Sequence, residues 1–394
     1  MSTAQARIAR LLHITGPLDP GGAEKFLLDL LPRLRAEGFC VQVASVGLGG
    51  ELRDDFVAEG VPVTEVTTAR TGVRARLLAA MEGVSTSHPE GIRACAAGIC
   101  RLVTHFRPDI IHTHLALPDL VTRIARQSRA DFPSLICTQH DSFGRGAFPD
   151  EASWDWIVDQ RAALIRQDDV FVAVSDEARA LLCSEYRVGS GRVSRIAPGR
   201  DLEPFYRISP SPSPVVGVLA NFHAYKGHTY AIDAFAQVVR ARPDAMLAFA
   251  GGGEGIDVLK ARVRELDLVE SVRFDGSVRD VAQWLAGVAV LAVPSLSEGF
   301  PMSVIEAMAS GHPVVAFDVG GLSTQIQDGL NGYLVTPRDT AGLAGRILDV
   351  LNNRQEAIRM GAASRDRAGM GDIRTIVRRH SDLYADVLSR QATG

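Results

Sequence analysis

A run of alternating serine and proline, Ile208-Ser209-Pro210-Ser211-Pro212-Ser213-Pro214, interrupts an otherwise regular chain. Proline fixes φ and lacks an N–H, so such a run continues neither a helix nor a central strand and reads as a linker. On both sides of it, short apolar runs alternate with amphipathic stretches of helical period. Before it, residues 8–15, 41–46, 110–113, 135–138 and 170–174 read as buried strands. After it, residues 215–220, 246–250, 272–274, 289–293 and 314–317 do the same. Helices are expected at about 23–36, 229–241, 256–266, 281–285, 303–310, 341–352 and 373–388. Apolar strands separated by helices dictate parallel sheets covered on both faces. The expected architecture is α/β, with two doubly wound, Rossmann-like domains facing a cleft. The expected boundaries are 1–205, 206–372 and a terminal helical segment 373–394. In such sheets ligands sit outside the carboxyl ends of the strands, at topological switch points.

Bulk properties exclude several classes. A net charge of −4 offers no basic field for nucleic acid or an anionic membrane. Five scattered cysteines, Cys40, Cys95, Cys100, Cys137 and Cys183, show no C-x-x-C spacing. They fit a reducing cytoplasm without a disulfide framework or a zinc knuckle. At the N-terminus Arg10 and His13 interrupt the apolar run, so neither a signal peptide nor a membrane span is expected. Peripheral membrane contact is compatible with this reading.

The chemistry concentrates between Leu291 and Ala309. A strand ends near Pro294, a loop follows, and Pro301 suits the first turn of a helix. The amides of Met302, Ser303 and Val304 would then point out of a helix N-terminus, a ready phosphate site. Glu298 precedes the helix and Glu306 lies inside it. One carboxylate is placed to reach a group beside the phosphate, the other to accept two hydroxyls as a ribose offers them. Either glutamate alone would be an ordinary surface residue; the order Glu298-Gly299-Phe300-Pro301 before the helix is what raises it above that.

The stretch Ser297-Glu298-Gly299-Phe300-Pro301-Met302-Ser303-Val304-Ile305-Glu306 resembles the E-x7-E motif of family 4 glycosyltransferases, retaining enzymes of GT-B fold. The resemblance extends along most of the chain. It takes in Gly21-Gly22-Ala23-Glu24, Pro108-Asp109-Ile110-Ile111-His112-Thr113-His114, Thr138-Gln139-His140-Asp141, Ala173-Val174-Ser175, Lys226-Gly227-His228, and Pro313-Val314-Val315-Ala316 followed by Gly320-Gly321. It implies a terminal helix that crosses back onto the first domain. It also implies donor binding by Gly22, Asn221, Lys226, Glu298, Gly299, Phe300, Met302, Ser303, Val304 and Glu306. Lys226 would neutralise the leaving diphosphate. His114, Glu298 and Lys226 are the expected catalytic residues, with Gly21, Gly22, His114 and His140 on the acceptor side. Three positions depart from the family pattern: Asn221 stands for an arginine, Thr324 for a glutamate, and Pro198-Gly199-Arg200-Asp201 for N-G-V-D. His223 is a candidate stand-in for the missing arginine.

Other features weigh less. Gly251-Gly252-Gly253-Glu254-Gly255 fails the G-x-G-x-x-G pattern and reads as a strand–helix turn near the nucleotide base. His112, His114 and His140, with Asp119 nearby, raise the alternative of a metal-dependent hydrolase. The two imidazoles of H-x-H are expected to point apart, which argues against a shared ion. Phe143, Phe148, Trp154 and Trp156 could stack on an acceptor, and Arg70, Arg74 and Arg76 could meet an anionic one. A buried patch and a solvated helix face are the plainer readings.

The expected function is retaining transfer of a sugar from a nucleotide-sugar, UDP favoured over GDP, to a hydroxyl acceptor. The acceptor is a small molecule, a glycan or a lipid-linked species, in glycan, glycolipid or glycosylated natural-product biosynthesis. No metal and no cofactor are expected. A non-catalytic nucleotide-sugar-binding protein of the same fold is the nearer alternative.

Overall fold

The computed structural model describes residues 8–47, 49–66, 89–141, 143 and 152–393. Arg70, Arg74, Arg76 and Phe148 lie outside the described residues. The chain forms two units by contact: one runs to Pro198 and takes back the chain from Arg374, the other is Gly199–Ile373. The Ser/Pro run therefore lies inside the second unit, where the Ser211 amide donates to the Val288 carbonyl at 2.7 Å.

The first unit is built on strands β1 (Arg10–Thr15), β2 (Cys40–Ser45), β3 (Val63–Glu65), β4 (Ile110–His114), β5 (Ser134–Gln139), β6 (Val170–Ala173) and β7 (Val193–Arg195). All pair in parallel, in the order β3-β2-β1-β4-β5-β6-β7. The second unit has β8 (Val215–Leu219), β9 (Met246–Ala250), β10 (Val272–Gly276), β11 (Val290–Val293), β12 (Val314–Phe317) and β13 (Gly332–Val335). These too are parallel, in the order β10-β9-β8-β11-β12-β13.

In each sheet the winding starts at the middle, runs to one edge, then returns and runs to the other. Right-handed crossovers then place helices on opposite faces. They also open a crevice at the reversal, β1/β4 in one unit and β8/β11 in the other. The central strands are buried along almost their whole length, as Leu11, Leu12, Ile14, Leu247, Phe249, Val290, Leu291 and Val314 show.

Three strands were not anticipated, β3, β7 and β13. All three are sheet edges; Val-Thr-Glu and Val-Ser-Arg carry no apolar run, and Gly-Tyr-Leu-Val carries one of only three residues. The helix Arg354–Ala368 was not anticipated either: its buried stripe is Met360, Gly361, Ser364 and Ala368, mostly small residues without an apolar signal. The terminal helix Ile373–Thr393 packs on the first unit, where its Gln391 donates to the Ser134 hydroxyl at 2.7 Å.

Candidate functional site

The β8/β11 reversal brings Lys226 and Glu298 together. After β8 the chain turns through a short 3-10 segment, Ala224–Lys226, and enters the helix His228–Ala241 at Gly227. Gly227 has φ +68°, and a Cβ there would lie 1.9 Å from the Pro294 carbonyl oxygen. The Leu296 amide also donates to the Tyr225 carbonyl at 2.7 Å. The turn after β8 is thus locked to the loop after β11, which brings Lys226 to Glu298.

Lys226 Nζ lies 2.8 Å from both Glu298 carboxylate oxygens, and the Ser295 hydroxyl donates to Oε1 at 2.7 Å. Burial alone would lower the Lys226 pKa, but Glu298 and Tyr225 beside it carry it above the ordinary lysine value. The ammonium is therefore held charged. The Glu298 carbonyl accepts from the Gly321 amide at 3.1 Å. Gly320, at φ +51°, approaches that carbonyl so closely that a Cβ would stand 1.8 Å from it.

The helix Met302–Ala309 follows. Pro301 is its extended N-cap residue, one position earlier than expected, with φ −66° and ψ 123°. Its carbonyl accepts from the buried Gln325 side chain at 3.0 Å and from the Val304 amide at 3.3 Å. This corrects the expected trio of outward amides. Val304 is turned into the first helical turn, and Met302 and Ser303 carry the leading donors. Gly299, Phe300 and Met302 are buried and Ser303 is half-buried. Glu306, 3 % exposed, faces Arg200 with 2.9 Å from Oε1 to Nε. Arg200 was noticed in the sequence only as a departure from N-G-V-D. Its pairing with Glu306 had no sequence signal.

The Asn221 Oδ1 accepts from the Gly252 amide at 3.3 Å, and the Phe222 amide donates to the Gly252 carbonyl at 2.7 Å. The turn of residues 251–255 therefore docks on the Asn221 position. His223 stacks on Tyr225, with centroids 5.6 Å apart. Thr324 is half-buried, and its carbonyl accepts from Arg367.

The first unit holds a separate buried cluster at its own reversal. His112 and His114 share one side of β4, and their rings stack at 4.4 Å. The expectation that they point apart is overturned: residues i and i+2 of a strand lie on the same face. His13, in register with His112 on β1, joins them. The nitrogens form a chain, with His13 Nδ1 3.1 Å from His114 Nε2 and His114 Nδ1 2.9 Å from His140 Nε2. His112 is held by the Tyr384 hydroxyl and the Thr138 hydroxyl, each at 2.7 Å. Burial, reinforced by the neighbouring imidazoles, keeps His112 and His114 well below the ordinary histidine pKa and pushes His13 and His140 down to about 3. The cluster is neutral at pH 7.

Ring nitrogens of His13, His112 and His114 lie within 4.8 Å of one another, a spacing that can hold an ion. Both nitrogens of His112 are already hydrogen-bonded, so ligation there must break one of these bonds. Asp119 does not serve the histidines. It receives the Thr113 hydroxyl at 2.8 Å, Arg123 Nε at 2.8 Å and Arg161 Nε at 3.0 Å. The constellation imagined for a hydrolase is therefore not assembled as expected, and His13 stands where His140 was foreseen.

Gly21 caps the helix Gly22–Ala36, and Gly22 is exposed at its start. Glu24, 6 % exposed, accepts from the Thr15 hydroxyl at 3.0 Å, and burial pushes its pKa up to about 7. Trp154 and Trp156 are half-buried against Ala116, Leu120 and Ile157.

Comparison with known proteins supplies the context. Residues 20–204 match the model described as Glycosyltransferase Family 4, and residues 200–367 match Glycosyl transferases group 1. D-inositol 3-phosphate glycosyltransferase 2 of Catenulispora acidiphila is 29 % identical over 373 residues, covering 86 % of this chain and 84 % of that protein. The Nocardia farcinica D-inositol 3-phosphate glycosyltransferase is 27 % identical over 391 residues, covering 90 % and 84 %. Among solved structures, Anabaena HepE in complex with UDP-glucose superposes with a TM-score of 0.80 at 22 % identity, over 96 % of this chain and 99 % of that one. Sucrose-phosphate synthase from Thermosynechococcus elongatus gives 0.80 at 21 % identity, over 97 % and 100 %. The fold of both units is that of GT-B enzymes. Among the described residues no helix is long and apolar enough to cross a membrane.

Proposed function

The chain belongs to glycosyltransferase family 4, and on that premise we propose that it moves a hexosyl or N-acetylhexosaminyl group from a UDP-sugar to a hydroxyl acceptor, with retention at the anomeric carbon. One observation carries the reading. At the β8/β11 reversal two buried carboxylates, Glu298 and Glu306, each face a cation from another segment, beside a helix N-terminus. Lys226 and the amides of Met302 and Ser303 hold the diphosphate, Glu306 the ribose, and Glu298 with the Gly299-Phe300 backbone the sugar hydroxyls. Acceptor recognition falls to the first unit, through Gly21, Gly22 and His140, while His114, fully buried with both ring nitrogens engaged, supports His140 through their 2.9 Å contact.

In the proposed step the bond from the anomeric carbon to the diphosphate oxygen breaks, and the acceptor oxygen bonds to that carbon on the same face. The departing diphosphate takes the acceptor proton. Lys226 stabilises the charge that grows on the leaving group. The step needs neither a divalent metal nor an enzyme nucleophile. UDP is preferred because HepE was solved with UDP-glucose. The relatives named D-inositol 3-phosphate glycosyltransferases make a phosphorylated cyclitol the first acceptor to assay.

Asn221 and Thr324 favour the second reading, a protein that binds a nucleotide-sugar without turnover. Donor hydrolysis and transfer are to be measured with wild type and Glu298→Gln, and the product anomer read by proton NMR coupling. Transfer with the donor's anomeric configuration supports the reading. An inverted product overturns retention, and equal, negligible turnover by both proteins overturns catalysis.

A further inference from the structure

We infer that Arg200 is a positioning residue for the nucleotide: it orients the Glu306 carboxylate, and discrimination for the ribose hydroxyls depends on it. The inference rests on the reading of Glu306 as the ribose acceptor.

Glu306 lies in an octapeptide helix whose other residues, Ser303 apart, are apolar and buried. A carboxylate stays ionised in such surroundings only when a cation or several donors face it. Arg200 supplies that cation, with Nε 2.9 Å from Oε1 and side chains 19 % and 5 % exposed. Water therefore screens the pair little.

The guanidinium is placed by its backbone. The Arg200 amide donates to the Gly371 carbonyl at 2.9 Å, and the Arg200 carbonyl accepts from the Ile373 amide at 3.0 Å. Gly371 in turn packs on Ile305, the residue before Glu306; a Cβ on Gly371 would meet Ile305 Cγ2 at 2.6 Å. Two main-chain hydrogen bonds and one close backbone approach thus fix Arg200 in register with the helix. The ion pair then restrains the carboxylate. A ribose hydroxyl must meet a carboxylate lone pair, so a carboxylate free to rotate would accept it less well. Lysine would keep the charge without the planar fork, and leucine would keep bulk without charge.

The test is a cycle between protein and ligand. Binding of UDP and 2′-deoxy-UDP is measured by calorimetry for wild type, Arg200→Lys, Arg200→Leu and Glu306→Gln, with GDP and 2′-deoxy-GDP as a second pair. Wild type is expected to prefer the ribonucleotide by about 10-fold or more, in line with one hydrogen bond to a charged group. Arg200→Leu is expected to lose most of that preference while its affinity for the deoxynucleotide moves by less than about 3-fold. Arg200→Lys should recover part of it. Arg200→Gln carries the same comparison if leucine impairs folding.

A merely structural arginine gives a different result. Arg200→Leu would then weaken ribo- and deoxynucleotide alike and keep the wild-type preference, which overturns the inference alone. If wild type itself shows no preference and Glu306→Gln binds like wild type, the ribose reading of Glu306 falls, and the inference with it.

Discussion

Lys226 and Glu298, 72 residues apart in sequence, meet as a symmetric pair with 2.8 Å from the ammonium to each carboxylate oxygen. Each residue neutralises a charge that would otherwise sit buried alone. Lys226→Met should therefore cost stability as well as activity, because it leaves Glu298 uncompensated. In transfer assays Lys226→Met and Glu298→Gln are each expected to lose about 10²–10³-fold in kcat/KM. In thermal unfolding, Lys226→Met with Glu298→Gln should be more stable than Lys226→Met alone, without recovering activity. Purely additive shifts in Tm would show that the pair is not coupled.

The buried histidines make the chain acid-sensitive. His13 and His140 titrate at about 3, and His228, His312 and His380 at about 4, all mainly through burial. Unfolded histidine titrates near 6.5, so between these values the unfolded chain binds more protons than the folded one. Stability therefore rises with pH across that window and is lost as pH falls from about 6.5 towards 4. Each histidine contributes up to about 1.4 kcal/mol per pH unit there. Calorimetry from pH 7.5 to 4.5 should show Tm falling steeply below pH 6.5. A flat profile would mean the cluster takes up protons while folded.

Glu24 has the opposite dependence. Its carboxyl titrates at about 7 against an ordinary value of 4.5, because it is buried. Between those values the folded chain holds the extra proton, so stability falls as pH rises through the window. Glu24→Gln keeps an acceptor for the Thr15 hydroxyl and removes the buried charge. It is expected to raise stability by up to about 3 kcal/mol at pH 8 and to change little at pH 4.5. Equal Tm shifts at the two pH values would contradict this.

Gly320 tests the backbone of the donor loop. An alanine there meets both a left-handed φ of +51° and the Glu298 carbonyl at 1.8 Å. Gly329, at φ +72°, has nothing within 4 Å of the corresponding position. Gly329→Ala should cost only the backbone term, about 1 kcal/mol. Gly320→Ala should cost about 3 kcal/mol or more and weaken UDP binding, since the loop must shift. Similar Tm values for the two variants would count against the contact.

The central strands and the strand–loop–helix around Glu298 were legible because buried parallel strands write themselves as apolar runs and helix starts have chemical signatures. The three edge strands were not, since they are only three or four residues long and most of their side chains are half-buried, so no apolar run or period stands out. Pro301 was misplaced by one residue, which changed which amides lead the helix. The pairing of Arg200 with Glu306 was illegible for another reason: it depends on a main-chain clamp through Gly371 and Ile373, and no spacing rule reports it. His13 did leave a trace, a polar residue that with Arg10 interrupts a run otherwise fit for the core. The H-x-H geometry was misread because two-residue spacing keeps a face rather than changing it.

The hydrogen bond from Tyr384 to His112 has a consequence in time. The phenol that satisfies this buried imidazole is encoded after the whole of Gly199–Ile373. On a ribosome adding 5–20 residues per second, the first unit waits roughly 10–40 s with its terminal helix unmade. During that interval its sheet is complete but His112 lacks its tyrosine. The helix that closes the first core is thus made only after the whole of the second unit.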